Sequence, residues 1–363
     1  MHGEDGVDGI SGTAIVRLLF IGLALTGCSN ENTAPPPPPP PGVDLTVPVP
    51  LSEMGNDTWR GFPGGHYPSG EAIPTAHFDE GVRRASAIGP LNPNGQPDPA
   101  GRYVLLSVGM SNTTQEYCSG AFPSCAGHSF IGQAAADPAV RRSGLVLVDG
   151  AASGQTALTW DSPSDPNYDR VRDTRLAPLG LTEQQVRIVW LKVVNPQPTV
   201  SLPNPSADAY QLLGSLGAIA RALKVRYPHL DLVFLSNRTY GGYATTTLHP
   251  EPYAYETGFA VKWLVDAQIT QMATSGTPPH AIAGNLAYAG AGAAAPWLAW
   301  GPDLWANGTI PRADGLVWLR SDFGNDGIHP STSGRTKVGR LLLEFLKSAP
   351  MSRCWFVEGG TCG

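Results

Sequence analysis

The chain carries Asn325-Asp326-Gly327-Ile328-His329-Pro330 near its C-terminus and an isolated Gly109-Met110-Ser111-Asn112 near residue 110. Histidine is the natural general base at neutral pH, because its unperturbed pKa lies close to neutrality. A carboxylate three residues earlier, on a tight turn, can fold back to the Nδ1–H of the imidazole. Nε2 is then free to face a hydroxyl. Gly327 permits the turn, and Pro330 biases His329 away from the helical region. Ser331 or Thr332 can cap a final helix. Asp326 is therefore the expected partner of His329, with Asp322 the competing carboxylate. A serine hydroxyl is a poor nucleophile until a base takes its proton, and acyl transfer also needs donors for an oxyanion. Ser111 is the candidate nucleophile.

These residues depend on the elements before them. Tyr103–Val108, Leu145–Val148, Val186–Val194 and Leu230–Leu235 are short apolar runs. Such runs suit parallel strands buried on both faces. A fifth strand is expected at Gly315–Leu319, with Ala281–Ala287 competing for the place. Residues 206–227 carry a helical stripe of Leu212, Leu213, Leu216, Ile219, Ala220 and Leu223. Residues 257–272 and 333–347 are two further helices. Strands alternating with helices predict an α/β fold: a three-layer open parallel sheet with helices on both faces. Residues 43–100 are loop-rich and are expected to wrap this core. In such sheets ligands bind beyond the carboxyl ends of the strands. Those ends lead into Ser111, into Asp149-Gly150-Ala151-Ala152-Ser153-Gly154, and into Asn195-Pro196.

In this order, the blocks resemble those of the SGNH hydrolases, also called GDSL esterases. The resemblance spans about residues 100–348 and is strongest over DGIHPSTSGRTKVGRLLLEFL. It implies a flavodoxin-like fold and a serine esterase. Ser111, Asp326 and His329 match the catalytic positions. The oxyanion hole falls to Ser111, Gly154 and Asn195, with Gly150 a near neighbour that could take the place of Gly154. The usual Gly-Asp-Ser is Gly109-Met110-Ser111 here, and Gly-x-Ser-Asn is closer to the carbohydrate O-acetylesterase branches. No Gly-x-Ser-x-Gly elbow is present, which disfavours an ordinary α/β-hydrolase. The implied substrate is a carboxylic ester, with an O-acetylated carbohydrate the leading class. A lipase or general carboxylesterase is the alternative within enzymes, and a non-catalytic glycan-binding protein the alternative outside them. No metal or cofactor is implied.

Composition sets the outer limits. Of 363 residues, 42% are hydrophobic and only 15% charged, enough apolar material for a sizeable core. A net charge of −6 without a Lys/Arg cluster argues against a nucleic-acid partner. The 43 glycines and 35 prolines predict long loops. No apolar run reaches the roughly 18–20 residues of a spanning helix.

Residues 1–27 read as a signal peptide, with an apolar stretch from Ala14 to Leu25. Leu25-Thr26-Gly27-Cys28 resembles the lipobox of bacterial lipoproteins, which implies cleavage before Cys28 and acylation of its thiol. Residues 28–42, with the proline run Pro35–Pro41, would form a semi-rigid tether. Residues 43–363 would then be a hydrolase domain held at the cell envelope, the outer membrane being favoured because Ser29 rather than Asp follows the cysteine; secretion is the other outcome. With Cys28 set aside, Cys118, Cys125, Cys354 and Cys362 remain. Two local bridges are the simplest of three connectivities and fit an oxidising compartment. A zinc site is the rival reading, against which the spacings are too long for Cys-x-x-Cys and no His clusters with them.

Two aromatic groups, Tyr240/Tyr243/Tyr253/Tyr255 and Trp297/Trp300/Trp305, are expected in loops after the fourth strand and beyond, with at least half of the side chains packed inside. Aromatic faces there would suit sugar rings or acyl groups. His249 and His280 read as ordinary loop histidines.

Overall fold

The computed structural model describes residues 42–273 and 277–363. The signal peptide, Cys28 and the proline run lie outside the described residues, apart from Gly42 at the end of the expected tether.

Five parallel strands form the central sheet: β1 Tyr103–Gly109, β2 Leu145–Asp149, β3 Val186–Lys192, β4 Leu232–Leu235 and β5 Trp297–Trp300. Their spatial order is β5-β4-β3-β1-β2. All seven residues of β1 and of β3 are buried, as central strands covered on both faces require. Side chains alternate between the faces. Val104, Leu106, Val189, Leu191, Val233 and Leu298 pack into one apolar layer, and Leu105, Ile188, Trp190, Phe234 and Trp297 into the other. An irregularity between Val104 and Leu105, opposite Val186 and Ile188, keeps the pattern in phase.

Eight α-helices occur among the described residues. They are α1 Thr75–Ser86, α2 Ser111–Tyr117, α3 Phe130–Ala136, α4 Pro166–Val171, α5 Asp208–Arg226, α6 Tyr253–Ala273, α7 Thr332–Ser348 and α8 Arg353–Phe356. Residues of α4, α5 and α6 pack on the first face of the sheet, and those of α1, α2, α3, α7 and α8 on the second. Within residues 43–100, Leu51, Met54, Trp59 and Tyr67 are buried and extend the first layer. Trp59 meets Tyr255 of α6 edge-on at 5.3 Å.

The fifth strand differs from expectation. Neither 315–319 nor 281–287 joins the sheet; Trp297–Trp300 does, pairing from Trp297 opposite Leu232 to Trp300 opposite Leu235. Gly315 instead closes a turn onto Arg312, and Leu316 and Trp318 pack into the second layer without strand pairing. Both Cys118–Cys125 and Cys354–Cys362 are disulfide-bonded. The first closes a small hairpin just after α2.

Candidate active site

The order β2-β1-β3 reverses direction beside β1, which makes the carboxyl end of β1 a topological switch point where a crevice opens. β1 ends at Gly109, whose φ of +155° few other residues adopt. A Cβ there would strike the carbonyl oxygen of Lys192. The close approach lets the chain turn at once into α2, so Ser111 stands at the first helical position. Its backbone N–H is one of those with no acceptor inside a helix. Thr113 Oγ1 donates to the Lys192 carbonyl at 2.5 Å, and Thr114 Oγ1 to Asp149 Oδ2 at 2.5 Å. These two bonds tie α2 to the ends of β3 and β2. Beneath it, the ammonium of Lys192 is paired with the carboxylate of Glu116, both fully buried.

The segment before α7 is a closed loop. Phe323 bridges Pro330, and the Gly324 N–H donates to the His329 carbonyl at 2.8 Å. Gly327, at φ +68°, sits where a Cβ would run into the Tyr243 backbone. Asp326 Oδ1 accepts the N–H groups of Ile328 and His329, each at 3.0 Å. That leaves Oδ2 to meet His329 Nδ1 at 2.5 Å. His329 Nε2 lies 2.8 Å from Ser111 Oγ. Burial acts to raise the pKa of Asp326, but the bond to the His329 ring and the two backbone N–H donors outweigh it, so the carboxyl is held below its ordinary value. An ionised Asp326 is what a developing imidazolium requires.

Asp322 is engaged elsewhere. Its carboxylate accepts from the Leu319 N–H at 2.8 Å, from Ser333 Oγ at 2.8 Å and from the Lys337 ammonium. Ser331 takes the N-cap position of α7, but its hydroxyl donates to the Ser321 carbonyl instead of capping.

Ser111 and His329 open into a cavity of about 410 Å³. Gly154 lines it, on the loop after β2, while Gly150 does not. Asn195 is not brought to it. Val194 and Pro196 line the cavity and Asn195 does not. Its side-chain amide lies 3.4 Å from Ser215 Oγ of α5. The loop placement is corrected for four of the seven aromatic residues, while the expected interior packing of at least half of them holds. None of the seven lines this cavity. Tyr253 and Tyr255 belong to α6, Trp297 and Trp300 to β5, and Tyr255, Trp297, Trp300 and Trp305 are buried. Among the described residues, no group of three or more His, Cys, Asp or Glu is placed to hold a metal ion.

Two cavity residues were missed. Arg238 follows β4 by three residues, and His249 lies on the next loop; both are buried and line the wall. The rule that pointed to the ends of β1, β2 and β3 applies equally to β4 and would have reached Arg238. His249 does lie in a loop, as expected, but it is buried and forms part of the wall, which nothing in the sequence marks.

No family model matches the chain, and no curated protein matches it. Solved structures do. A putative GDSL-like lipase from Parabacteroides merdae is 10% identical, with 67% of this chain and 94% of that one covered and a TM-score of 0.33. An extracellular lipase from Streptomyces rimosus is 15% identical over 67% and 99%, with a TM-score of 0.32. A carbohydrate esterase family 2 enzyme with a carbohydrate-binding domain, from Corynascus (Myceliophthora fergusii), is 15% identical over 68% and 66%, with a TM-score of 0.36.

Proposed function

We propose that this protein is a serine esterase of the SGNH type that hydrolyses carboxylic esters through an acyl-enzyme. The observation that carries the proposal is the continuous contact from Asp326 through His329 to Ser111 at the mouth of one cavity. Ser111 Oγ attacks the ester carbonyl while His329 Nε2 takes its proton. The same proton then passes to the departing alkoxide. His329 next activates a water that cleaves the acyl-serine bond, releasing the acid and restoring the hydroxyl. Asp326 holds the ring in the required tautomer and stabilises its cation. The backbone N–H groups of Ser111 and Gly154 are the proposed oxyanion donors.

An O-acylated carbohydrate, with acetyl the first choice, remains the leading substrate class. Support comes from the Gly-Met-Ser-Asn block and from Gln115, Ser153 and Thr156, which stand among the mostly apolar lining of the cavity. It does not come from aromatic stacking. The test is hydrolysis of p-nitrophenyl acetate and of longer acyl esters, followed by acetylated xylan. A serine-directed fluorophosphonate should abolish the activity and label Ser111. Absence of both hydrolysis and labelling in folded protein would overturn the esterase reading. The proposal includes a lipid anchor at Cys28 and a place in the bacterial cell envelope. Cys28→Ala should abolish lipid labelling, and labelling that persists would remove the anchor.

A further inference from the structure

Arg238 is only 2% exposed, yet its guanidinium Nε and Nη1 find no hydrogen-bond partner. Three carboxylates act on it through space, Glu116, Glu251 and Asp326, and each is occupied by other donors. Glu116 holds Lys192. Glu251 accepts the N–H groups of Gly241 and Tyr255, both at 2.9 Å, and the Trp305 indole at 2.8 Å. Asp326 is bonded to His329. On the same cavity wall, His249 is buried with Nδ1 also unpartnered. Burial first, and the charge of Arg238 second, drive its pKa well below the ordinary value, so the imidazole is neutral. A buried guanidinium without partners is strongly disfavoured unless a ligand or water in the cavity supplies them.

We propose that Arg238, with His249 beside it, binds a carboxylate carried by the substrate, so that the cavity selects an O-acyl ester of an acidic sugar. The inference rests on the esterase reading and deepens it. Arg238 lines the cavity, although its Nε and Nη1 have almost no surface open to it, so Nη2 is the atom left to meet a carboxylate oxygen, and the neutral imidazole can add one donor. One unpaired cation among three carboxylates suits a monoanion better than a phosphate dianion. The cavity places this anchor in the same space as Ser111, so one molecule can reach both.

The probes are mono-O-acetyl glucuronic acid and its neutral methyl ester, followed by acetate release at pH 7. A charge-assisted bond of ordinary strength predicts a kcat/KM about 10–100-fold higher for the acid. Free glucuronate should inhibit p-nitrophenyl acetate hydrolysis competitively, and glucuronamide should not. Arg238→Met should bring the acid-to-ester ratio close to one. Arg238→Lys should leave an intermediate ratio, since it keeps the charge without the guanidinium. Equal rates on acid and methyl ester, or no inhibition by glucuronate, in wild-type protein that cleaves p-nitrophenyl acetate would overturn this proposal and leave the esterase reading intact. So would an unchanged ratio in folded Arg238→Met. If the variants do not fold, the wild-type comparison and the inhibition pair still decide. Failure of the esterase reading is distinct: no hydrolysis of any ester and no fluorophosphonate labelling.

Discussion

The side-chain amide of Asn112 donates to the backbone carbonyl of Ile328 at 2.9 Å, joining the residue after the nucleophile to the residue before the base. The two are 216 positions apart in the chain, and Asn112 is buried. This bond sets the distance between the turn after β1 and the loop before α7, on which the contact between Ser111 and His329 depends. Asn112→Ala should therefore lower kcat about 10–100-fold by misplacing the two groups. Stability should fall by about 1–2 kcal/mol through the orphaned carbonyl. Steady-state kinetics with urea unfolding would check this, and an unchanged kcat would count against the positioning role.

Asp326 and Asp322 separate function from stability. Asp326→Asn removes the acceptor at His329 Nδ1 and should reduce kcat by about three to four orders of magnitude, with little change in unfolding midpoint. Asp322→Asn disturbs the Lys337 pair and the entry to α7, so it should lower the midpoint and leave most of the activity. The reverse result would move the triad carboxylate to Asp322.

Asn195→Ala tests which groups meet the oxyanion. A true donor there would cost about 10²–10³ in kcat. The amide instead lies beside Ser215, and Asn195 does not line the cavity. We expect kcat within about fivefold of wild type, measured on p-nitrophenyl acetate. A loss of 100-fold would restore Asn195 to the oxyanion hole.

His66 gives the fold a pH dependence away from the cavity. Its ring lies 2.8 Å from Glu71 and 3.3 Å from Asp303, whose other neighbour is Arg312 at 3.5 Å. Burial opposes the ring's charge, but the bonds to Asp303 and Glu71 and their negative charges outweigh it, and the pKa is raised to about 9. The protonated ring is thus favoured in the folded state. Its contribution is full below the unfolded value near 6.5 and is lost as pH rises through about 9. Urea unfolding at pH 6.5 and 9.5 should show wild type losing on the order of 2 kcal/mol more than His66→Gln across that interval. Equal losses would assign the effect to other groups.

Much of this architecture can be read from local pattern. β1 to β4 read as mostly apolar runs because strands buried on both faces offer few polar positions. Asp326 and His329 are also a local matter, since a three-residue turn with glycine inside it is enough to join them. The two disulfides follow from short spacings. Non-local pairing decided the rest. Trp297–Trp300 and Gly315–Leu319 are similar apolar runs, and only docking against β4 chose the first as β5. Of the aromatic residues that could have offered a sugar platform, Tyr255, Trp297, Trp300 and Trp305 entered the core, since burying their large apolar surface was available to the fold. Asn195 stands beside Ser215 of α5 instead of lining the cavity, a placement that its position after β3 does not reveal. Arg238 has an unremarkable place in the sequence. Its meaning depends on three carboxylates from distant segments, all engaged elsewhere, and on a cavity wall that exists only after the sheet has assembled. Residue types and short spacings determined the chemistry available to this chain; which groups share a cavity, and which of them are left without partners, was decided only by tertiary packing.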